Sequence, residues 1–202
     1  MPAIQTIQGA WYGCTGLTSF PAIDFTTVTN CTDAWRSCSN IVDFNFTNLG
    51  GSCTTYYQAW TSCSSMTTLP VIDFSAVTST ISFVRTWQAC SSMVTFPTVS
   101  FNFTAANVSF NTAWYLCTLL ANFPANAFDT CLSTDFASAL TGCALTATSI
   151  KNILESLVTA NQNGGILGIN GGTNAAKSTW DAATVAFYDT LVTRSWTITY
   201  NA

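Results

Sequence analysis

The chain contains no histidine, and only 7% of its 202 residues are Asp, Glu, Lys or Arg. Without an imidazole, neither a Ser/His/Asp nor a Cys/His nucleophilic arrangement can be built, so acid–base chemistry would fall to the nine carboxylates. The five basic residues (Arg36, Arg85, Lys151, Lys177, Arg194) are scattered singly in a chain of net charge −4. That pattern excludes the positive stripe that nucleic-acid binding requires. Long apolar runs are also missing. None approaches the roughly 20 residues that span a bilayer, which argues against membrane insertion. The opening MPAIQTIQGAWYG has neither a basic n-region nor an apolar h-region, so no cleavable signal is expected. The protein is expected to stay where it is made or to leave by a route that needs no signal. Apolar residues make up 49% of the chain, ample for a core, so Ser, Thr and Asn must keep the surface soluble.

What the chain does have is a rhythm. Tryptophan is followed three residues later by cysteine at Trp11/Cys14, Trp35/Cys38, Trp60/Cys63, Trp87/Cys90 and Trp114/Cys117, and LTGCALTATSI continues the series with Leu140 for tryptophan. The tryptophans lie 24, 25, 27 and 27 residues apart, a period that belongs to stacked repeats. The third residue after each cysteine (Leu17, Ile41, Met66, Met93, Leu120) and the sixth (Phe20, Phe44, Leu69, Phe96, Phe123) are apolar and read as core. The seventh is Pro21, Pro70, Pro97 or Pro124, a turn or strand-edge position because proline fixes φ and donates no hydrogen bond.

Four residues before each tryptophan, or before Leu140, stands Cys31, Tyr56, Phe83, Phe110 or Phe136. Apolar residues at i, i+4 and i+7 predict about two turns of helix. The β-branched and aromatic segment that follows, as in MTTLPVIDF, predicts a short strand. One helix and one strand per unit give the expected fold, an α/β right-handed solenoid built from parallel coils.

Six of the nine cysteines share one repeat position and are expected to form a buried column of free thiols acting as small hydrophobes. With no CxxC and no histidine, a zinc site is disfavoured. Cys31, Cys53 and Cys131 fall off the column, and whether they form a disulfide stays open. Asp24 and Asp73 share the IDF position and read as turn-capping groups.

Beyond Cys143 the rhythm changes. TSIKNILESLVTA predicts a helix capped at Thr148 or Ser149, ILGI a strand, GGTN a turn, STWDAATVAFYDTLVTR a second helix and WTITY a closing strand. Gly171 to Ser178, GGTNAAKS, has P-loop spacing, but Ala176 stands where the last glycine before the lysine belongs. A Cβ there obstructs the close approach of phosphate, so a structural turn is expected. Residues 1–147 are expected to form the repeat region, with a lead-in over 1–10, and residues 148–202 a capping unit on the same core.

The units CTGLTSFPAIDF, CSSMTTLPVIDF and CSSMVTFPTVSF, each preceded by an aromatic stretch, resemble the BspA-like leucine-rich repeats of bacterial surface proteins. More closely, they are similar to the Trp/Cys/Ser/Pro-rich form of those repeats in bacteriophage tail-fibre and other virion structural proteins. The ending, from NILESLVTANQNGG onward, resembles the terminal unit of such proteins. The resemblance implies a non-enzymatic virion component with no catalytic, cofactor or metal residues to carry over: a tail, fibre or capsid-decoration protein. Its implied partners are other virion structural proteins, further copies of itself and a host-surface glycan or protein. Assembly would take place in the host cytoplasm, with release by lysis. A bacterial cell-surface adhesion or protein-interaction module is the alternative.

Overall fold

The computed structural model describes residues 3–46, 49, 52–69, 72, 74, 81–99, 101 and 108–202. Among them, regular elements begin only at residue 135: β1 (Asp135–Phe136), α1 (Ala147–Ala160), β2 (Ile166–Ile169), a 3-10 turn (Lys177–Thr179), α2 (Ala182–Thr193) and β3 (Thr197–Tyr200). The three strands form one open parallel sheet in the order β1-β2-β3, with Asp135 opposite Ile166 and Ile166 opposite Thr197. The expected right-handed α/β solenoid, with a helix and a strand in every unit and a β/α cap, is therefore not the fold that forms.

The expected helices fail for a specific reason. In the second unit the amides of Cys31, Asp33, Trp35 and Ser37 donate to the carbonyls of Thr55, Tyr57, Ala59 and Thr61 in the next unit, at 2.8–3.0 Å. The intervening amides of Ala34, Arg36 and Cys38 close turns onto Cys31, Asp33 and Trp35. A helix would spend every amide on the carbonyl four residues back. Here half of them leave the segment. The switch is made by left-handed residues two before and two after each tryptophan: Asp33 (φ 53) and Ser37 (φ 61), Gln58 and Ser62, Arg85 and Ala89, Thr112 and Leu116. Two successive four-residue turns bring the chain back to the same side, as helical turns would, so the i, i+4, i+7 spacing serves both conformations.

Among the described residues the expected strands after each cysteine contribute only single parallel bridges, and a longer file of bridges runs ahead of the tryptophans. Thr6 pairs with Asn30, Asn30 with Thr55, Thr55 with Ser82, Ser82 with Ser109, and Ser109 with Asp135. Phe20 pairs with Phe44 and Thr95 with Asn122. Pro21 directly follows Phe20, and its missing amide prevents that ladder from extending. Pro70 and Asp73 lie outside the described residues.

Aromatic rings fill the interior. Trp11, Trp35, Trp60, Trp87 and Trp114 stack in sequence with centroids 5.1–6.2 Å apart and planes within 14°. Tyr56, Phe83, Phe110 and Phe136 form a second file at 5.0–5.5 Å. Phenylalanines meet the indoles edge to face, as Phe96 does with Trp87 and Trp114. Buried indole N–H groups of Trp35, Trp60, Trp87 and Trp114 lack a hydrogen-bond partner. Each costs about 1–3 kcal/mol, against about 0.5–1.5 kcal/mol for every favourable ring pair. From the second unit onward the cysteine of the repeat secures the unit before it. Cys38, Cys63, Cys90, Cys117 and Cys143 donate their thiols to the carbonyls of Trp11, Trp35, Trp60, Trp87 and Trp114, at 2.9–3.2 Å.

Helix α1 completes the pairing that the units leave open. Phe96 and Phe101 donate their amides to Asn122 and Ala127 in the following unit. Phe123 and Phe128 instead donate to the hydroxyls of Ser149 (2.9 Å) and Ser156 (2.7 Å) on α1. The helix starts two to three residues earlier than the expected cap at Thr148 or Ser149, because Thr146 is its cap and accepts from the Ser149 amide. Asn161, in the left-handed conformation, ends it. Helix α2 is capped by Asp181, whose carboxylate accepts from the Thr184 amide and hydroxyl and pairs with Lys151 at 3.2 Å.

Replacing Ser156 with alanine strands the buried Phe128 amide and is expected to cost about 1–3 kcal/mol in urea unfolding. Gly13 has φ +70 with nothing near its missing Cβ, so Gly13→Ala isolates the left-handed penalty, about 1–2 kcal/mol in the same assay. The hydrogen bonds from Thr184, helped by Lys151, hold the Asp181 carboxyl down at about 2. A depressed carboxylate stabilises above its ordinary value and loses that contribution as it protonates. The N-terminal turn of α2 is therefore expected to fray between about pH 4 and pH 2, read as accelerated amide exchange at Thr184.

Candidate functional site

In the first two units the residue after the tryptophan and the residue two before it are at least partly exposed, and they bear aromatic and charged groups. Tyr12 and Arg36 hold the position after tryptophan in neighbouring units, and Asp33 the position two before it. Stacking the units brings the Arg36 guanidinium 5.4 Å from the centroid of the Tyr12 ring. Its Nη1 donates to the Asp33 carboxylate at 3.2 Å and to the Gln58 side-chain oxygen at 3.1 Å. Two acceptors and a ring fix a side chain that is still 35% exposed. Tyr12 is 55% exposed. Tyr12, Asp33 and Arg36, together with Gln8, Gly9 and Ala10, line an open cleft of about 750 Å³. Asn30 extends the polar rim, donating to the Gln8 side chain at 3.4 Å.

The cleft combines one flat apolar face with fixed donors and acceptors. Such a surface suits a ligand whose ring offers C–H groups on its faces and hydroxyls at its edge. Sequence reading assigned no binding residues, so the cleft was missed. The available signal was the pairing of Tyr12 with Arg36 at one repeat position and of Asp33 with Arg36 at i, i+3.

The segments singled out from sequence have other occupations. The GGTNAAKS turn spends its amides on the protein itself: Thr173 donates to Cys143 and Ala175 to Leu145, while Gly171 and Lys177 donate to Asn201. Asn174 is buried, accepting from the Leu145 amide and donating to the carbonyls of Leu140 and Ile169. A Cβ on Gly172 would collide with the Cys143 carbonyl, which accounts for that glycine. Lys177 sits 3.6 Å over the ring of Tyr188. Asp24 accepts from the Thr26 amide at 3.0 Å and so closes a turn, while Asp73 lies outside the described residues.

All nine cysteines are free thiols, and eight are buried. Burial is the first cause in pushing the Cys38 thiol up to about 11 and those of Cys131 and Cys143 up to about 12, with Cys63, Cys90 and Cys117 also raised. Cys131 stands alone. Cys31 and Cys53 do not: their sulfurs touch at 3.2 Å. Among the described residues no three Cys, Asp or Glu side chains converge on a common point, and no helix is long and apolar enough to cross a membrane.

No protein-family profile, curated protein or solved structure matches the chain.

The thiolate is the reactive form, so brief treatment of the native protein with iodoacetamide at pH 8 should label Cys14 first and leave the column thiols untouched. Peptide mass spectrometry would read this directly. Rapid labelling of Cys90 or Cys117 would contradict the burial described.

Proposed function

We propose that the chain is a non-enzymatic structural protein of a bacteriophage virion, a tail, fibre or capsid-decoration component that attaches to a host-surface glycan. The resemblance of its repeats to phage structural proteins motivates the virion assignment. The observation that carries attachment is the Tyr12/Arg36/Asp33 cleft, where an exposed ring and an immobilised guanidinium–carboxylate pair lie side by side. Recognition there spends little ordering entropy, because Arg36 is already held by Asp33 and Gln58. A bacterial surface adhesion module would use the same cleft, and tail or capsid genes beside the coding sequence would distinguish the two.

The test is a glycan array probed with the purified chain. One class of glycan is expected to be retained, and Tyr12→Ala or Arg36→Ala to weaken that binding at least tenfold, about 1.4 kcal/mol. Tyr12 is largely exposed, so its variant should unfold at nearly the wild-type urea concentration. An array with no retained glycan, or binding indifferent to both substitutions, would remove the reading.

A further inference from the structure

Cys31 and Cys53 occupy a place that the rest of the stack gives to a ring. Four residues before the tryptophan, the later units carry Tyr56, Phe83, Phe110 and Phe136, stacked face to face. The second unit carries Cys31 there, and a thiol leaves much of the ring's volume unfilled beside Tyr56. Cys53, from the start of the next unit, enters that volume. Both side chains are buried, and their sulfurs lie 3.2 Å apart, inside ordinary contact distance. The column thiols from Cys38 onward each hold a tryptophan carbonyl, whereas these two face one another, with the Cys53 thiol also 3.3 Å from the Thr55 carbonyl. The buried Tyr56 hydroxyl lies beside them and interacts with the Cys53 thiol.

We propose that Cys31 and Cys53 form an oxidation site, at which exchange with a small-molecule disulfide such as oxidised glutathione converts the pair into a disulfide tying consecutive units together. The Cys53 thiolate attacks one sulfur of the small disulfide and releases one small thiolate. The Cys31 sulfur then attacks the mixed disulfide and releases the second. Two protein thiols are oxidised, one small disulfide is reduced to two thiols, and the two protein protons end on those thiols. The mutual hydrogen bond of the two thiols lowers Cys53 and raises Cys31, which matches these roles. The sulfurs need to approach by only about 1 Å to reach bonding distance. Burial confines the exchange to moments of local opening or to folding. The inference stands independently of the glycan cleft.

The experiment uses the full chain in two arms: the native protein held with oxidised glutathione, and the denatured, reduced protein refolded in a mixture of oxidised and reduced glutathione. Each product is alkylated under denaturing conditions and mapped by mass spectrometry. The expected product is two hydrogens lighter, linked between Cys31 and Cys53, with the other seven cysteines alkylated. Its thermal midpoint should rise by roughly 5–10 °C and fall back on adding a reductant. Cys131→Ser should oxidise like the wild type, and Cys53→Ser should not. Nine alkylated cysteines in both arms, a different pairing, or a bridged form melting no higher than the reduced one would each overturn the proposal.

Discussion

The organisation of this protein rests on amides that leave their own segment. Around each tryptophan, every second N–H donates to a carbonyl of the next unit, and left-handed residues on either side of the tryptophan make that alternation possible. The pairing fixes the register between units, and the register makes the indoles stack and brings the thiols of Cys38, Cys63, Cys90, Cys117 and Cys143 to the carbonyl of the tryptophan one unit back. Orphaned indole donors are tolerated inside this arrangement because ring contacts surround them on several sides.

The same pairing explains why α1 is needed. A unit with open amides buried against nothing would be unstable, and the serine hydroxyls of α1 meet Phe123 and Phe128 as the carbonyls of Asn122 and Ala127 meet Phe96 and Phe101. A helix substitutes for a further unit, at a cost of two well-placed hydroxyls.

Much of this was legible in the sequence, and the part that was not failed for a definable reason. The period of the tryptophans, the burial of the cysteines and the helical spacing of Ile150, Ile153, Leu154 and Leu157 could all be read directly. Helix and turn could not be separated, since Tyr56, Trp60 and Cys63 share a side in both. The discriminating hint was Gly9 and Gly13 in the first unit and Gly142 in the last, standing where other units hold Gln58, Ser62 and Ala89 at positive φ. Strands were over-read because β-branched composition says nothing about how many residues pair consecutively. The cleft went unseen because Tyr12 and Arg36 become neighbours only once the units are laid in register.

The one-way donation has an electrical consequence. In the tryptophan-bearing segments the amide of Trp11 points at Ala34, that of Trp35 at Ala59 and that of Trp60 at Thr86, so their peptide dipoles add along the stack as they do along a helix axis. The carbonyls of this set point back toward the first unit, the end where Tyr12 and Arg36 lie. A cation is favoured there, and Arg36 is the cation the chain supplies.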